Sequence, residues 1–135
     1  MTTTGSCLCG AVSFTVDAPL RQVVACHCRQ CRKTSGHHAA ATAAPKTALS
    51  IEGADHISWF SASSTALRGF SRSCGSHLFW DGHDTDMISI FAGSLDGDTR
   101  LDMACHIYCG DKGDYYEIAD SCPKYAAAIG GARYP

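Results

Sequence analysis

Three cysteines lie within six residues, and this cluster constrains the chain more than any other feature. Residues 26–31 read Cys-His-Cys-Arg-Gln-Cys, a C-x-C-x-x-C pattern. Three thiolates at this spacing can surround one metal ion and leave a fourth position open, and an open position distinguishes a reactive zinc site from a structural one. We therefore predict a metal site on Cys26, Cys28 and Cys31. A structural site that a remote fourth ligand completes is the alternative.

The cysteine content favours metal binding over disulfide bonds. Nine cysteines occur in 135 residues, and the N-terminal residues show neither the basic region nor the apolar stretch of a secretory leader. Clustered cysteines in a reducing compartment more often hold metal than form disulfides. We therefore expect a cytoplasmic protein. Because no run of about 18 apolar residues occurs, we expect no membrane span.

Length and charge limit the number of domains and the kinds of partner that we expect. A chain of 135 residues with 45% hydrophobic residues is expected to form one domain with an ordinary core. The formal net charge is -2, and only 18% of the residues are charged. The sequence has no stripe of basic residues of the kind that binds a phosphate backbone, so we expect no nucleic-acid partner. The oligomeric state stays open, with a homodimer among the options.

Short apolar runs separated by turn signals predict a mainly β fold. The expected strands are 10–16, 23–26, 39–44, 49–52, 57–61, 66–71, 77–80, 88–91, 105–108 and 115–118. Residues 29–35 are expected to form a single helical turn that ends at Gly36.

A second cysteine pair, Cys7 and Cys9, cannot fill a tetrahedral site alone, because such a site needs four ligands. The turn that carries Cys74 offers a third thiolate, but Ser71 stands where that turn would supply another. A serine hydroxyl is a poor zinc ligand beside a thiolate. The site could recruit another cysteine, His77 or water, could bind zinc weakly, or could be empty and held by packing.

Three further cysteines, Cys105, Cys109 and Cys122, belong to neither group. Three residues separate the first two, unlike the cysteines of a tight zinc-binding turn. One of the three could supply the missing ligand. We favour the interpretation that they are small buried side chains, because free cysteines are among the most buried residues.

Three motifs together resemble those of a known family. They read C-x-C-G-x-V at 7–12, C-H-C-x-x-C-R-x-x-x-G at 26–36 and F-x-x-x-C-G-S at 70–76. The chain resembles the glutathione-dependent formaldehyde-activating enzyme (GFA) family, which includes the centromere protein V (CENP-V) domain, over a core of about 5–123. The resemblance implies one zinc-binding domain over 1–135 with a mainly β, Mss4-like fold, in which short antiparallel sheets surround the cysteine motifs.

The resemblance also implies one or two zinc ions and a role for each cysteine motif. Ser71 stands at the position of the family's fourth structural cysteine. This difference leaves open whether that site holds zinc. The implied ligands are Cys26, Cys28 and Cys31 for a catalytic ion, and Cys7, Cys9 and Cys74 for a structural ion.

The implied activity is that of a zinc-dependent carbon–sulfur lyase or synthase acting on a thiol adduct. In the family, glutathione combines with formaldehyde to give S-hydroxymethylglutathione, so glutathione is the expected co-substrate. Arg29 and Arg32 could bind its carboxylates, or could form a solvated basic face. His37 and His38 could carry protons, or could be ordinary loop residues. His27 is expected to point away from its neighbours.

Two other functions stay open. The first is a non-catalytic zinc module that binds a protein partner, because the Mss4-like fold serves such roles elsewhere and a fold does not determine function. The second is a thiol redox protein, which would require a metal-free cysteine of low pKa with a resolving partner.

Overall fold

The chain divides into two units. A computed structural model describes residues 2–135. Unit 1 comprises the chain up to Arg21 and Thr42–Leu101, and unit 2 comprises Gln22–Ala41 and Asp102–Pro135. None of the helices in residues 2–135 combines the length and the apolar composition that a membrane crossing requires.

The described residues form ten strands, one α-helix and four 3₁₀ turns. The strands are β1 (Thr3–Ser6), β2 (Ser13–Val16), β3 (Val23–Cys26), β4 (Ala39–Pro45), β5 (Leu49–Glu52), β6 (Ile57–Phe60), β7 (Ala66–Ser71), β8 (His77–Gly82), β9 (Met87–Phe91) and β10 (Met103–Ile107). The helix is α1 (Arg29–Ser35), and the 3₁₀ turns are Lys46–Ala48, Ala54–His56, Ala92–Ser94 and Cys109–Asp111.

Unit 1 contains two sets of antiparallel strands around an apolar core. One sheet has the order β1-β2-β5, and four further strands have the order β9-β8-β7-β6. Phe14 and Phe79 pack edge to face with ring centroids 5.3 Å apart, an arrangement that aromatic pairs prefer. Cys7 is a member of this core, so the first cysteine pair is attached to a packed interior. The core residues are Cys7, Val12, Phe14, Val16, Ala44, Ile57, Leu78, Phe79, Ile88 and Ile90.

Unit 2 places the cysteine cluster where a strand gives way to a helix. β3 pairs in parallel with β10 and antiparallel with the start of β4, and it ends at Cys26. Cys28 is the N-cap of α1, and its Sγ accepts a hydrogen bond of 3.3 Å from the Cys31 N–H. The helix ends at Gly36, whose φ of 85° lies in the left-handed region that glycine adopts readily.

The mainly β prediction with antiparallel sheets is confirmed, and a parallel pair, β3–β10, occurs in addition. The helix over 29–35 also forms as predicted. The predicted strand over 115–118 is wrong, because Tyr115 and Tyr116 contact histidine rings instead of pairing with a strand. β1 was not predicted, since its segment lacks apolar alternation and pairs with β2 through the main chain.

Candidate metal sites

Two groups of three cysteines bring their sulfur atoms together. Within each group the Sγ atoms all lie within 4.8 Å of one another. Zinc–thiolate bonds of about 2.3 Å in a tetrahedron place neighbouring sulfur atoms about 3.8 Å apart, so both groups fit an ion held by three thiolates. We call them the turn triad (Cys7, Cys9 and Cys74, in unit 1) and the helix triad (Cys26, Cys28 and Cys31, in unit 2).

The helix triad is built from the end of β3 and the first turn of α1. Cys31 is buried, whereas Cys26 and Cys28 are half-buried. Hydrogen bonds from Cys26 and Cys31 lower the pKa of the Cys28 thiol far below its ordinary value. The same contact with Cys28 raises the pKa of Cys26. These hydrogen bonds therefore favour the thiolate form of Cys28 and the thiol form of Cys26.

The turn triad is held between two glycine turns. Gly10 and Gly75 directly follow Cys9 and Cys74, and their φ angles of 79° and 78° lie in the left-handed region. Glycine enters this region without the steric cost that a side chain brings. The Sγ atoms of Cys7 and Cys9 lie 3.7 Å apart, and Cys9 is exposed. The two turns thus present their thiols from the two separate stretches of sequence that form unit 1.

Ser71 is fully buried beside the turn triad. Its Oγ accepts hydrogen bonds from the N–H groups of Ser73 and Cys74, each at 3.2 Å. The hydroxyl can donate its one proton to the sulfur of either Cys7 or Cys74. Its hydrogen bond, with a second from Ser76, lowers the pKa of the Cys74 thiol to about 5. At the position where a fourth metal ligand would be expected, Ser71 therefore stabilises the turn through hydrogen bonds.

The remaining cysteines do not complete either triad. Within residues 2–135, the groups of potential ligands contain neither His77 nor Cys105, Cys109 or Cys122. Cys105 and Cys109 are buried, and Cys122 donates a hydrogen bond of 3.1 Å to the Met103 carbonyl. Cys105 and Cys109 are thus small buried side chains, as the sequence favoured, whereas Cys122 is only half-buried.

His27 is fully buried and belongs to a hydrogen-bonded chain that the sequence did not reveal. Its Nδ1 lies 2.5 Å from the Tyr116 hydroxyl, and its Nε2 lies 2.9 Å from Nδ1 of His106. His106 Nε2 lies 2.8 Å from a carboxylate oxygen of Asp120. Burial, and then the charges of His38 and His106, together lower the pKa of His27 to about 4. Sequence spacing gives no signal for this chain, because directly bonded members are up to 89 residues apart.

Aromatic and basic side chains surround Tyr116. The ring of His37 lies 4.5 Å from that of Tyr116 and 4.3 Å from that of His38. His37 Nδ1 lies 2.5 Å from the Tyr115 hydroxyl. Lys112 Nζ lies 5.0 Å from the centre of the Tyr116 ring. The two histidines that follow Gly36 are therefore part of a packed group.

Arg29 and Arg32, the predicted carboxylate-binding residues, differ in environment. Arg29 is exposed and Arg32 is half-buried. Among the described residues, Arg32 Nε and His38 Nδ1 are buried nitrogen atoms with no hydrogen-bond partner. A buried donor without a partner costs free energy. Of the two arginines, Arg32 is therefore better placed to donate a hydrogen bond to an acceptor on a ligand.

Comparison with known proteins identifies the family. A family model described as glutathione-dependent formaldehyde-activating enzyme matches residues 2–111. The chain belongs to this GFA family. A protein of Halomonas elongata with a provisional name as a glutathione-dependent formaldehyde-activating enzyme is 33% identical over 124 residues, 84% of this chain and 79% of that protein.

A solved structure supports the fold of this GFA family member. The crystal structure of a Rhodobacter sphaeroides protein aligns with a TM-score of 0.58 and 26% sequence identity. The alignment covers 70% of this chain and 89% of the other. The family model and the Halomonas relative confirm the predicted family.

Proposed function

We propose that this GFA family member is a zinc-dependent carbon–sulfur lyase or synthase acting on S-hydroxymethylglutathione, the adduct of glutathione and formaldehyde. The observation that carries the proposal is the helix triad, which gathers three sulfur atoms and, among the described residues, no fourth ligand. A position that the protein leaves free can accept a substrate. Family membership supports glutathione and formaldehyde as the reactants.

The helix triad supplies the ligands and the orientation that this chemistry needs. Zinc bound there would lower the pKa of a thiol in the fourth position and keep its sulfur in place. In the synthase direction one carbon–sulfur bond forms, the formaldehyde carbonyl becomes a hydroxyl group, and the proton of the thiol ends on that oxygen. The lyase direction is the reverse. Holding both reactants in one geometry is the larger part of what the chain contributes.

Arg32 is proposed to bind a carboxylate of glutathione. A guanidinium group matches a carboxylate with two parallel hydrogen bonds. Arg32 follows Cys31 of the helix triad, and its buried Nε has no partner within the described chain. The exposed Arg29 is the weaker candidate, because a solvated ion pair contributes little free energy.

Two cysteine variants test the proposal. Native mass spectrometry counts bound ions, and carbon-13 NMR follows labelled formaldehyde in the presence of glutathione. Cys28→Ser is expected to lose the ion of the helix triad together with turnover. Cys122→Ser is the control, because Cys122 donates to the Met103 carbonyl and lies outside both triads, and it is expected to retain both.

The outcomes separate the candidate functions. Unchanged turnover in Cys28→Ser contradicts the proposal. An ion retained by the unaltered chain, with no glutathione bound at millimolar concentration, would favour the non-catalytic zinc module.

A further inference from the structure

A buried hydrogen-bonded chain in unit 2 connects Asp120 to Tyr116 through two imidazole rings. The rings of His27 and His106 are 0% and 5% exposed, so water does not compete for their bonds. Asp120 at one end is exposed, and Tyr116 at the other end is half-buried. The three links measure 2.8, 2.9 and 2.5 Å. All three are normal or short hydrogen bonds.

The chain has one direction when each ring carries one proton. The Asp120 carboxylate can only accept, so His106 Nε2 donates to it. Nδ1 of His106 must then accept from His27 Nε2, and Nδ1 of His27 must accept from the Tyr116 hydroxyl. Every donor points toward Asp120. The Tyr116 oxygen therefore keeps its lone pairs for a partner outside the chain.

Tyr116 is tied to the segment that carries the helix triad. Its hydrogen-bond partner, His27, stands between Cys26 and Cys28 in the sequence. His37, which directly follows the end of α1 at Gly36, packs its ring 4.5 Å from that of Tyr116. Tyr116 therefore contacts both ends of the segment 27–37, which contains Cys28, Cys31 and the proposed carboxylate-binding residue Arg32.

We propose that Asp120 and His106 are positioning residues that act through His27 to orient the Tyr116 oxygen as a hydrogen-bond acceptor for the adduct at the helix triad. This inference rests on the proposed function. A carboxylate that fixes the tautomer of an imidazole fixes the direction of the next hydrogen bond as well. In the adduct, the hydroxyl proton of the hydroxymethyl group is the donor that such an oxygen would meet.

Nitrogen-15 NMR of the histidine side chains in the zinc-loaded protein at pH 8 tests the direction of the chain. His27 is expected to carry its proton on Nε2. Asp120→Asn replaces the carboxylate by an amide that can accept or donate, while its oxygen can still accept from the Cys122 N–H, a bond of 3.0 Å in the unaltered chain. With its oxygen on that N–H, the amide NH2 faces His106 Nε2 and reverses the hydrogen bonds of the chain. We therefore expect the His27 proton to move to Nδ1 in this variant. Asp114→Asn, an exposed acid in the same segment, is expected to leave the tautomer unchanged.

Kinetics test the role of the Tyr116 oxygen. Asp120→Asn and Tyr116→Phe are each expected to lower kcat by about 10- to 100-fold, the usual range for groups that orient a functional residue. The KM for glutathione is expected to change less than about threefold, because the contact is not to the glutathione carboxylates. If the residues act as a unit, the double variant loses no more than the more affected single variant. Asp114→Asn is expected to keep full activity.

Failure of this inference differs from failure of the proposed function. A single unchanged His27 tautomer in Asp120→Asn, or full activity of that variant, overturns the inference. Absence of turnover in the unaltered zinc-loaded chain refutes the proposed function, and the tautomer measurement then decides alone whether Asp120 directs the chain. Should Asp120→Asn not fold, His106→Gln breaks the same chain at its second link and replaces it in both experiments.

Discussion

The hydroxyl of Ser71 is expected to stabilise the turn that carries Cys74, and Ser71→Ala measures its contribution. Ser71 is 0% exposed, and its Oγ accepts hydrogen bonds from two N–H groups, each at 3.2 Å. Alanine fills nearly the same space but accepts neither bond. A net contribution of about 1 kcal/mol per hydrogen bond gives an expected loss of about 2 kcal/mol in the free energy of unfolding.

Urea unfolding in the presence of a chelator measures this loss, because no ion then contributes to stability. For a chain of this size a loss of about 2 kcal/mol lowers the Tm by about 8 °C. Ser73→Ala is the matched control on the same turn. Its side chain is exposed, and its hydroxyl lies 3.4 Å from His56 Nδ1, so the expected change is within about 0.5 kcal/mol. Equal stability of the two variants would refute the view that Ser71 closes the turn by hydrogen bonding.

Three further predictions follow from the two sites and the core. Ser71→Cys adds a thiolate to the turn triad and is expected to raise its zinc affinity at least about tenfold, and competition with a chromophoric chelator would reveal an unchanged affinity. Burial, and then the charge of Arg68, lower the pKa of His77, so the folded state binds this proton less well than the unfolded state. Stability is expected to be present above the ordinary pKa of about 6.5 and to fall as the pH drops below it, and equal urea midpoints at pH 7.5 and 5.5 would contradict this. Arg32→Ala is expected to raise the KM for glutathione about tenfold with a much smaller effect for Arg29→Ala, and initial rates at varied glutathione compare them.

The helix triad could be predicted from the sequence because all its information is local. Cys26, Cys28 and Cys31 lie within six residues. A strand that ends and a helix that begins at this point bring their sulfur atoms close together. The end of α1 at Gly36 was equally local, since a glycine in the left-handed region is a common helix end. The turn triad was less well determined, because the sequence offered Cys74 only as a possible third thiolate, and the assignment of Cys7, Cys9 and Cys74 to one ion came from the family resemblance.

The chain from Asp120 to Tyr116 could not be predicted for the same reason. Its members come from the end of β3, from β10 and from a segment without regular structure. Tyr116 was assigned to a strand as part of the short run 115–118, but the preference of a residue for a strand depends strongly on context. Contacts with histidine rings decided its conformation instead. Ser71 shows the opposite case, since its identity was evident in the sequence and only its hydrogen bonds required the structure.

The different spacing of the two triads sets the order in which a newly made chain can acquire metal. Assembling the turn triad closes a loop of about 65 residues, which costs about 2 kcal/mol more chain entropy than a loop of about five residues. The helix triad carries no such cost, so it can capture an ion while synthesis is still under way. The turn triad must wait until β7 and β8 have been made and have paired. A shortage of metal during translation would therefore affect the two candidate sites unequally.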